Sequence, residues 1–194
     1  MVALTIADKI RDFIDANLTS DMRNNGALDL DEFAKKIGIS KIKLATFNRA
    51  DVSGLLKKER GEWNIYVKHT DSPRRRRFTI AHEIGHFISF LQDGKSKEIL
   101  KDKEQVSDLA FTRAAPHSHI EAEANAIAAY ILMPEGDVRE LVEKSETAEE
   151  MAKHFQVSES AMLVRLNSLG IIPFETYGQE IPETEQQQEQ IKQS

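Results

Sequence analysis

The apolar positions change their period along the chain. Ile6, Ile10, Phe13, Ile14 and Leu18 recur at helical spacing, which predicts an amphipathic helix over residues 3–18. The polar stretch that follows, with Gly26, predicts a loop. Asp29 with Glu32 three residues on has the form of a capping box, opening a helix that ends near Gly38. Ser40 can cap a further helix over Lys41–Arg49, so residues 28–49 take the outline of a helix-turn-helix. The period then falls to two. Trp63, Ile65 and Val67 alternate with Asn64, Tyr66 and Lys68, and Leu55–Glu59 stands before the turn at Gly61, which predicts a hairpin. Ser72 and Pro73 open a helix that runs to about Gln92, with Gly94 just past its end. Residues 93–117 are polar and mixed, with a short helix around Lys97–Leu109. The helical period resumes at Ser118 and stops before Pro134. A short helix near Asp137–Lys144 follows. Thr147 with Glu150 forms another capping box, and helices over 148–155 and 159–168 make a second helix-turn-helix outline.

These elements divide the chain into a helix-turn-helix-like segment at 1–50 that forms part of one unit with a central α+β core at 51–135, a C-terminal helix-turn-helix-like unit at 136–173 and a tail at 174–194. Charge sharpens the division. The 194 residues carry a net charge of −6, and the tail holds five Glu, one Lys and six Gln, so it accounts for −4 and leaves −2 for the body. Low hydrophobicity and Gln-Glu repetition predict disorder in the tail. A nearly neutral body argues against a nucleic-acid binder held by phosphate neutralisation. The second helix-turn-helix outline is net −2 over residues 145–172, poor for phosphate contact and better suited to packing or protein docking. The first is net +2 over residues 28–50, which leaves DNA contact open there, with a structural helix pair the favoured reading. The longest apolar run, Ala126–Met133, is far short of a membrane span, and Asp8, Lys9, Arg11 and Asp12 stand where a signal peptide needs an apolar core. The expectation is a cytoplasmic protein with no membrane contact. With no Cys, any metal must be held by His, Asp or Glu.

His82-Glu83-Ile84-Gly85-His86 supplies such ligands. Residues four apart on a helix project from one face, so His82 and His86 can share one ion. A divalent ion acidifies water, and Glu83, one residue beyond the first His, is placed to take the proton and return it to a leaving amine. Gly85 leaves room beside His86 for another segment. Phe78, Ala81, Ile84, Ile88 and Leu91 read as the buried opposite side. A metzincin third ligand is excluded, because Ser89 and Gln92 occupy the places of its Gly and His. The alternative is a carboxylate from a second helix. Glu121 shares a face with Asn125, whose amide could hydrogen-bond a ligand. Glu121 could instead merely cap its own helix from Ser118, and Glu123 is a second carboxylate on a different side. Small neighbours (Ala122, Ala124, Ala126, Ala128, Ala129) suit tight helix packing. His117, His119 and Tyr130 are candidate substrate or transition-state contacts.

Two long stretches in this order, Arg75-Arg76-Arg77-Phe78-Thr79-Ile80-Ala81-His82-Glu83-Ile84-Gly85-His86-Phe87 and Glu121-Ala122-Glu123-Ala124-Asn125-Ala126-Ile127-Ala128-Ala129-Tyr130-Ile131-Leu132-Met133-Pro134, closely resemble the ImmA/IrrE family of metallo-endopeptidases. The likeness covers most of residues 28–172, including Val52-Ser53-Gly54 and the stretch from Phe155 to Gly170. One departure is visible: many relatives carry a His shortly after the first motif, where this chain reads Phe87-Ile88-Ser89-Phe90. The resemblance implies an α+β zincin-like domain with a small antiparallel sheet, followed by the helix-turn-helix-like unit. It implies His82, His86 and Glu121 as metal ligands and Glu83 as general base. Zinc is the first choice, and the donor set also suits Mn(II) or Fe(II). The implied substrate is a helix-turn-helix (XRE-type) transcriptional repressor, whose cleavage releases stress or mobile-element genes. The competing expectation is a non-catalytic regulator or toxin–antitoxin partner that binds a repressor or DNA. Arg74–Arg77 reads as the solvated first turn of the active-site helix. Because cations there oppose the helix dipole, some of these arginines should be held by partners.

Overall fold

The computed structural model describes residues 7–92 and 119–171. The tail, His117 and the helix predicted at Lys97–Leu109 lie outside them. Chain order begins with α1 (Asp8–Asn17), a 3-10 turn (Ser20–Met22), β1 (Arg23–Asn24), β2 (Ala27–Leu28) and α2 (Leu30–Ile37). Next come β3 (Ile39–Ala45), β4 (Gly54–Glu59), β5 (Glu62–Lys68) and α3 (Pro73–Gln92). Then follow α4 (His119–Leu132), α5 (Glu135–Glu143), α6 (Ala148–His154) and α7 (Glu159–Ser168). The architecture is α+β, with helices packed on a small sheet. No helix among the described residues is long and apolar enough to cross a membrane.

Local signals set most boundaries. The Asp29 carboxylate accepts from the Glu32 amide at 2.9 Å and opens α2. Gly38 closes it in the left-handed region, φ 105°, where a side chain would be strained. The Thr147–Glu150 capping box forms with both of its hydrogen bonds. The α6 and α7 helices stand at the expected positions, joined by a tight turn in which Gln156 takes φ 54°.

Two expectations fail for one reason. Residues 39–45 are a strand, so the helix over Lys41–Arg49 and the helix-turn-helix outline at 28–49 do not form. Ser40, read as a cap, reaches Glu62 on the neighbouring strand instead. The overlooked signal is the alternation of Lys41 and Lys43 with Ile42 and Leu44. This strand also changes the sheet. The β4–β5 hairpin is antiparallel, but β3 adds to β5 in parallel, giving a mixed three-stranded order β3-β5-β4 in place of an antiparallel sheet. A segment of eight residues between Ala45 and Gly54 crosses the end of β5, where His69 N bonds Ala45 O and Lys68 N bonds Ser53 O. A second, two-residue antiparallel ladder joins β1 and β2 within the stretch expected to be loop.

Ile65 and Val67 of β5 are buried, and Trp63 packs its ring on Phe87 and Phe90 of α3 at centroid distances of 5.6 and 5.5 Å. The buried side chains form one cluster that runs from Ile10 and Ile14 of α1 to Met162 and Leu166 of α7, through α3 and α4. It crosses residues 50 and 135 without a break.

Candidate active site

Helices α3 and α4 pack more extensively than any other pair of described elements. The contact is close because both surfaces are small. A Cβ on Gly85 would lie 2.7 Å from the Ala124 carbonyl oxygen and 3.0 Å from its Cα. Backbone cannot step aside as a side chain can. Gly→Ala within a helix normally stabilises by about 1 kcal/mol. Here the collision outweighs that gain, since overpacking a tight contact costs about 1–3 kcal/mol. Gly85→Ala is therefore expected to lower both the melting temperature and the affinity for added zinc, because it pushes α4 away from α3. Calorimetry and zinc titration check this, and an unchanged variant would show that the close approach is not required.

That approach brings three donors together. His82 Nε2 and His86 Nε2 lie 2.9 Å apart, and each is 3.4 Å from a Glu121 carboxylate oxygen. A tetrahedral ion with bonds of about 2.0–2.1 Å separates its ligand atoms by roughly 3.3 Å, so the spacing fits one ion. His82 Nδ1–H donates to Asn125 Oδ1 at 2.9 Å, which leaves the Nε2 lone pair facing the other donors. His86 is buried, and Glu121 and His82 are partly exposed, so the cluster opens on one side. Two neutral imidazoles and a carboxylate suit zinc, and also Mn(II) or Fe(II). Among the described residues, His82, His86 and Glu121 form the group able to hold a metal ion.

Electrostatics within the group are consistent with that use. Pairing with His82 and His86 pulls the Glu121 carboxyl down to about 2. Burial pushes the two imidazoles down. For His82 this is outweighed by Glu121 and by the charge of Glu83, and it ends above its ordinary value. For His86 burial prevails and the neutral ring is favoured. Glu83 differs from Glu121. Burial raises its carboxyl to about 7, with His82 pulling it back, and the Leu56 backbone of β4 supplies a hydrogen bond. A carboxyl poised near 7 can both accept and return a proton.

The site contains residues the sequence did not flag. A Cβ on Gly54 would come within 2.6 Å of Glu83 Oε1 and 2.4 Å of Thr79 Cγ2, so this position must be small for β4 to reach the carboxylate. Leu56 contributes only its backbone, which no side-chain motif reveals. Phe78 was placed on the far side of α3. It lies four residues before His82, and the two rings stack at 6.4 Å. That i, i+4 spacing was the available signal.

Other candidates fall elsewhere. Tyr130 donates its hydroxyl to Asp15 at 2.8 Å, and its pKa is pushed up to about 12 by burial and by Asp15. It stands nine residues beyond Glu121 on α4, roughly 13 Å along the axis. His119 is exposed at the start of α4. Of the arginine run, Arg76 donates to His69 O and Arg77 to Leu28 O, as the dipole argument anticipated. Arg74 and Arg75 have no side-chain partner among the described residues.

A pair of His and a Glu converge between two helices as a group able to hold one metal ion, with a second, buried Glu beside them. The chain belongs to the IrrE N-terminal-like domain family of peptidases, whose profile matches residues 33–167. It is 34% identical over 115 residues to the radiation response metalloprotease IrrE of Deinococcus radiodurans. That match covers 56% of this chain and 32% of the relative, so it spans about a third of the relative's length. A transcriptional regulator of Mycobacterium tuberculosis with a solved structure aligns at 20% identity and a TM-score of 0.47, over 82% of this chain and 51% of that one.

Proposed function

We propose that the chain is a metal-dependent endopeptidase acting in the cytoplasm, with His82, His86 and Glu121 as ligands and Glu83 as general base. The observation that carries this reading is a buried Glu83 poised near 7, next to three donors spaced for one ion. Zinc is the first choice of metal. When bound, it would polarise the scissile carbonyl and acidify water. Glu83, held by the Leu56 backbone and given room by the missing side chain of Gly54, takes a proton from water and passes it to the departing amine. Asn125 keeps His82 in the tautomer that presents Nε2. Among the described residues β4 is an edge strand of the sheet, with its Leu56 backbone at Glu83, so an extended peptide could lie along it by strand addition.

The substrate we favour is a helix-turn-helix repressor whose cleavage derepresses stress or mobile-element genes. The test is to incubate the chain with the repressor encoded nearest to its gene, with added zinc and with chelator. Zinc-dependent appearance of discrete fragments supports the reading. Tight binding without cleavage under zinc, manganese or iron supports a non-catalytic regulator instead.

A further inference from the structure

A groove of about 1170 Å³ lies between α1, the start of α3, α4 and α7. It exceeds the roughly 300–1,000 Å³ of small-molecule sites and suits a polypeptide segment. Phe78 and Asn125 line it, and both touch His82, so the groove borders the candidate active site. Its lining is apolar along much of its length, and it includes Val164 of α7, which is 68% exposed.

The groove's charges are not balanced. Its two acids are already engaged: Asp15 accepts from Tyr130, and Glu135 pairs with Arg139 at 2.7 Å. Arg11 pairs with Asp8 at 3.9 Å, and Arg23 and Arg165 are spent on carbonyls at the end of α4, Ile131 O and Met133 O. Arg74 and Arg75, both exposed at the rim, have no such partner among the described residues. Two unopposed guanidiniums in the first turn of α3 also add to the positive end of its dipole, an arrangement that costs stability unless something anionic sits there.

We propose that this groove is an exosite that binds an acidic segment of the protein substrate, with Arg74 and Arg75 holding its carboxylates and Val164 meeting its apolar side chains. The proposal rests on the endopeptidase reading above. Guanidiniums bind carboxylates in bidentate pairs, and the apolar residues that share the groove's lining favour a peptide over the uniform charge of a nucleic-acid backbone.

The test uses the zinc-loaded full chain carrying Glu83→Gln, so that bound peptide is not cut. Fluorescence anisotropy follows a short labelled peptide of Glu and Leu, its counterpart with Lys for Glu, and a labelled DNA duplex. The Glu peptide should bind tighter than the Lys peptide and weaken as salt is raised. Arg74→Glu with Arg75→Glu should weaken it by about tenfold or more, roughly 1.4 kcal/mol per factor of ten. The pair Arg74→Gln with Arg75→Gln should fall between, and Val164→Asp should also weaken it. All these positions are exposed, so melting temperatures should not fall, and the Arg→Glu pair should raise them slightly by removing cations from the first turn of α3. Equal binding of the two peptides overturns the exosite, as does indifference to charge reversal. DNA binding that charge reversal abolishes, without Glu-peptide binding, also overturns it. Chelator-sensitive hydrolysis of casein by the unsubstituted chain is measured separately. Casein cleavage with a failed peptide test removes the exosite alone. Peptide binding without any cleavage removes the endopeptidase reading.

Discussion

Glu83→Gln is expected to lower peptide hydrolysis by about 10³-fold while leaving the metal bound and the fold intact, which corresponds to about 4 kcal/mol of barrier. The amide keeps the shape of the carboxyl and one oxygen to accept from the Leu56 backbone, but it cannot take a proton. The same burial that readies Glu83 as a base opposes folding when the group is charged. Its pKa is 4.5 in an unfolded chain and about 7 in the fold. Its stabilising contribution is therefore complete below 4.5 and is lost as pH rises through about 7. The metal-free Gln variant should accordingly be more stable than the unsubstituted chain above pH 7, with the gap closing below 4.5. Thermal melts across that range check this. A second consequence concerns activity. The base must be ionised, so kcat/KM should rise with pH along an acid limb. A bound cation favours the carboxylate, which places the midpoint at or below about 7. A variant that stays active, or a limb centred well above 7, would remove Glu83 from the role.

Glu121→Ala should abolish metal loading. It removes one of three donors, the only anionic one, and leaves two imidazoles 2.9 Å apart without the carboxylate that draws them together. Loss of an outer hydrogen-bond partner typically costs roughly 10–100-fold in metal affinity. Asn125→Ala should fall in that range, because His82 then loses the acceptor that sets its tautomer. Glu121→Ala should exceed it, and Glu123→Ala should change little. The ranking is read by zinc titration of the purified variants. If Glu123→Ala loses metal and Glu121→Ala keeps it, the ligand set is wrong.

The reach of the sequence is clearest at particular residues. The helices around His82 and Glu121 were legible because their period, caps and stops are local: Ser72-Pro73 at one start, Pro134 past one end, Thr147 with Glu150 at another. The closeness of α3 and α4 was also legible, since Gly85 and the alanines of α4 announce it. Strand β3 was not. Ser40 and a short run of Lys, Ile and Leu satisfy either a capped helix or an alternating strand, and pairing with β5 decides between them. Gly54 and Leu56 were invisible as site residues. One acts by lacking a side chain and the other by its backbone, and both matter only because β4 passes beside Glu83.

The sequence by itself determined the chemistry available: no Cys, two His four apart, a carboxylate between them in sequence and another 38 residues after it. Residue type and helical period are local properties, and they need no knowledge of the rest of the chain. Only the tertiary structure decided which carboxylate meets the imidazoles, which one is buried and poised near 7, and which arginines remain uncompensated. Those outcomes depend on distance and exclusion of water, which arise when segments far apart in sequence pack together.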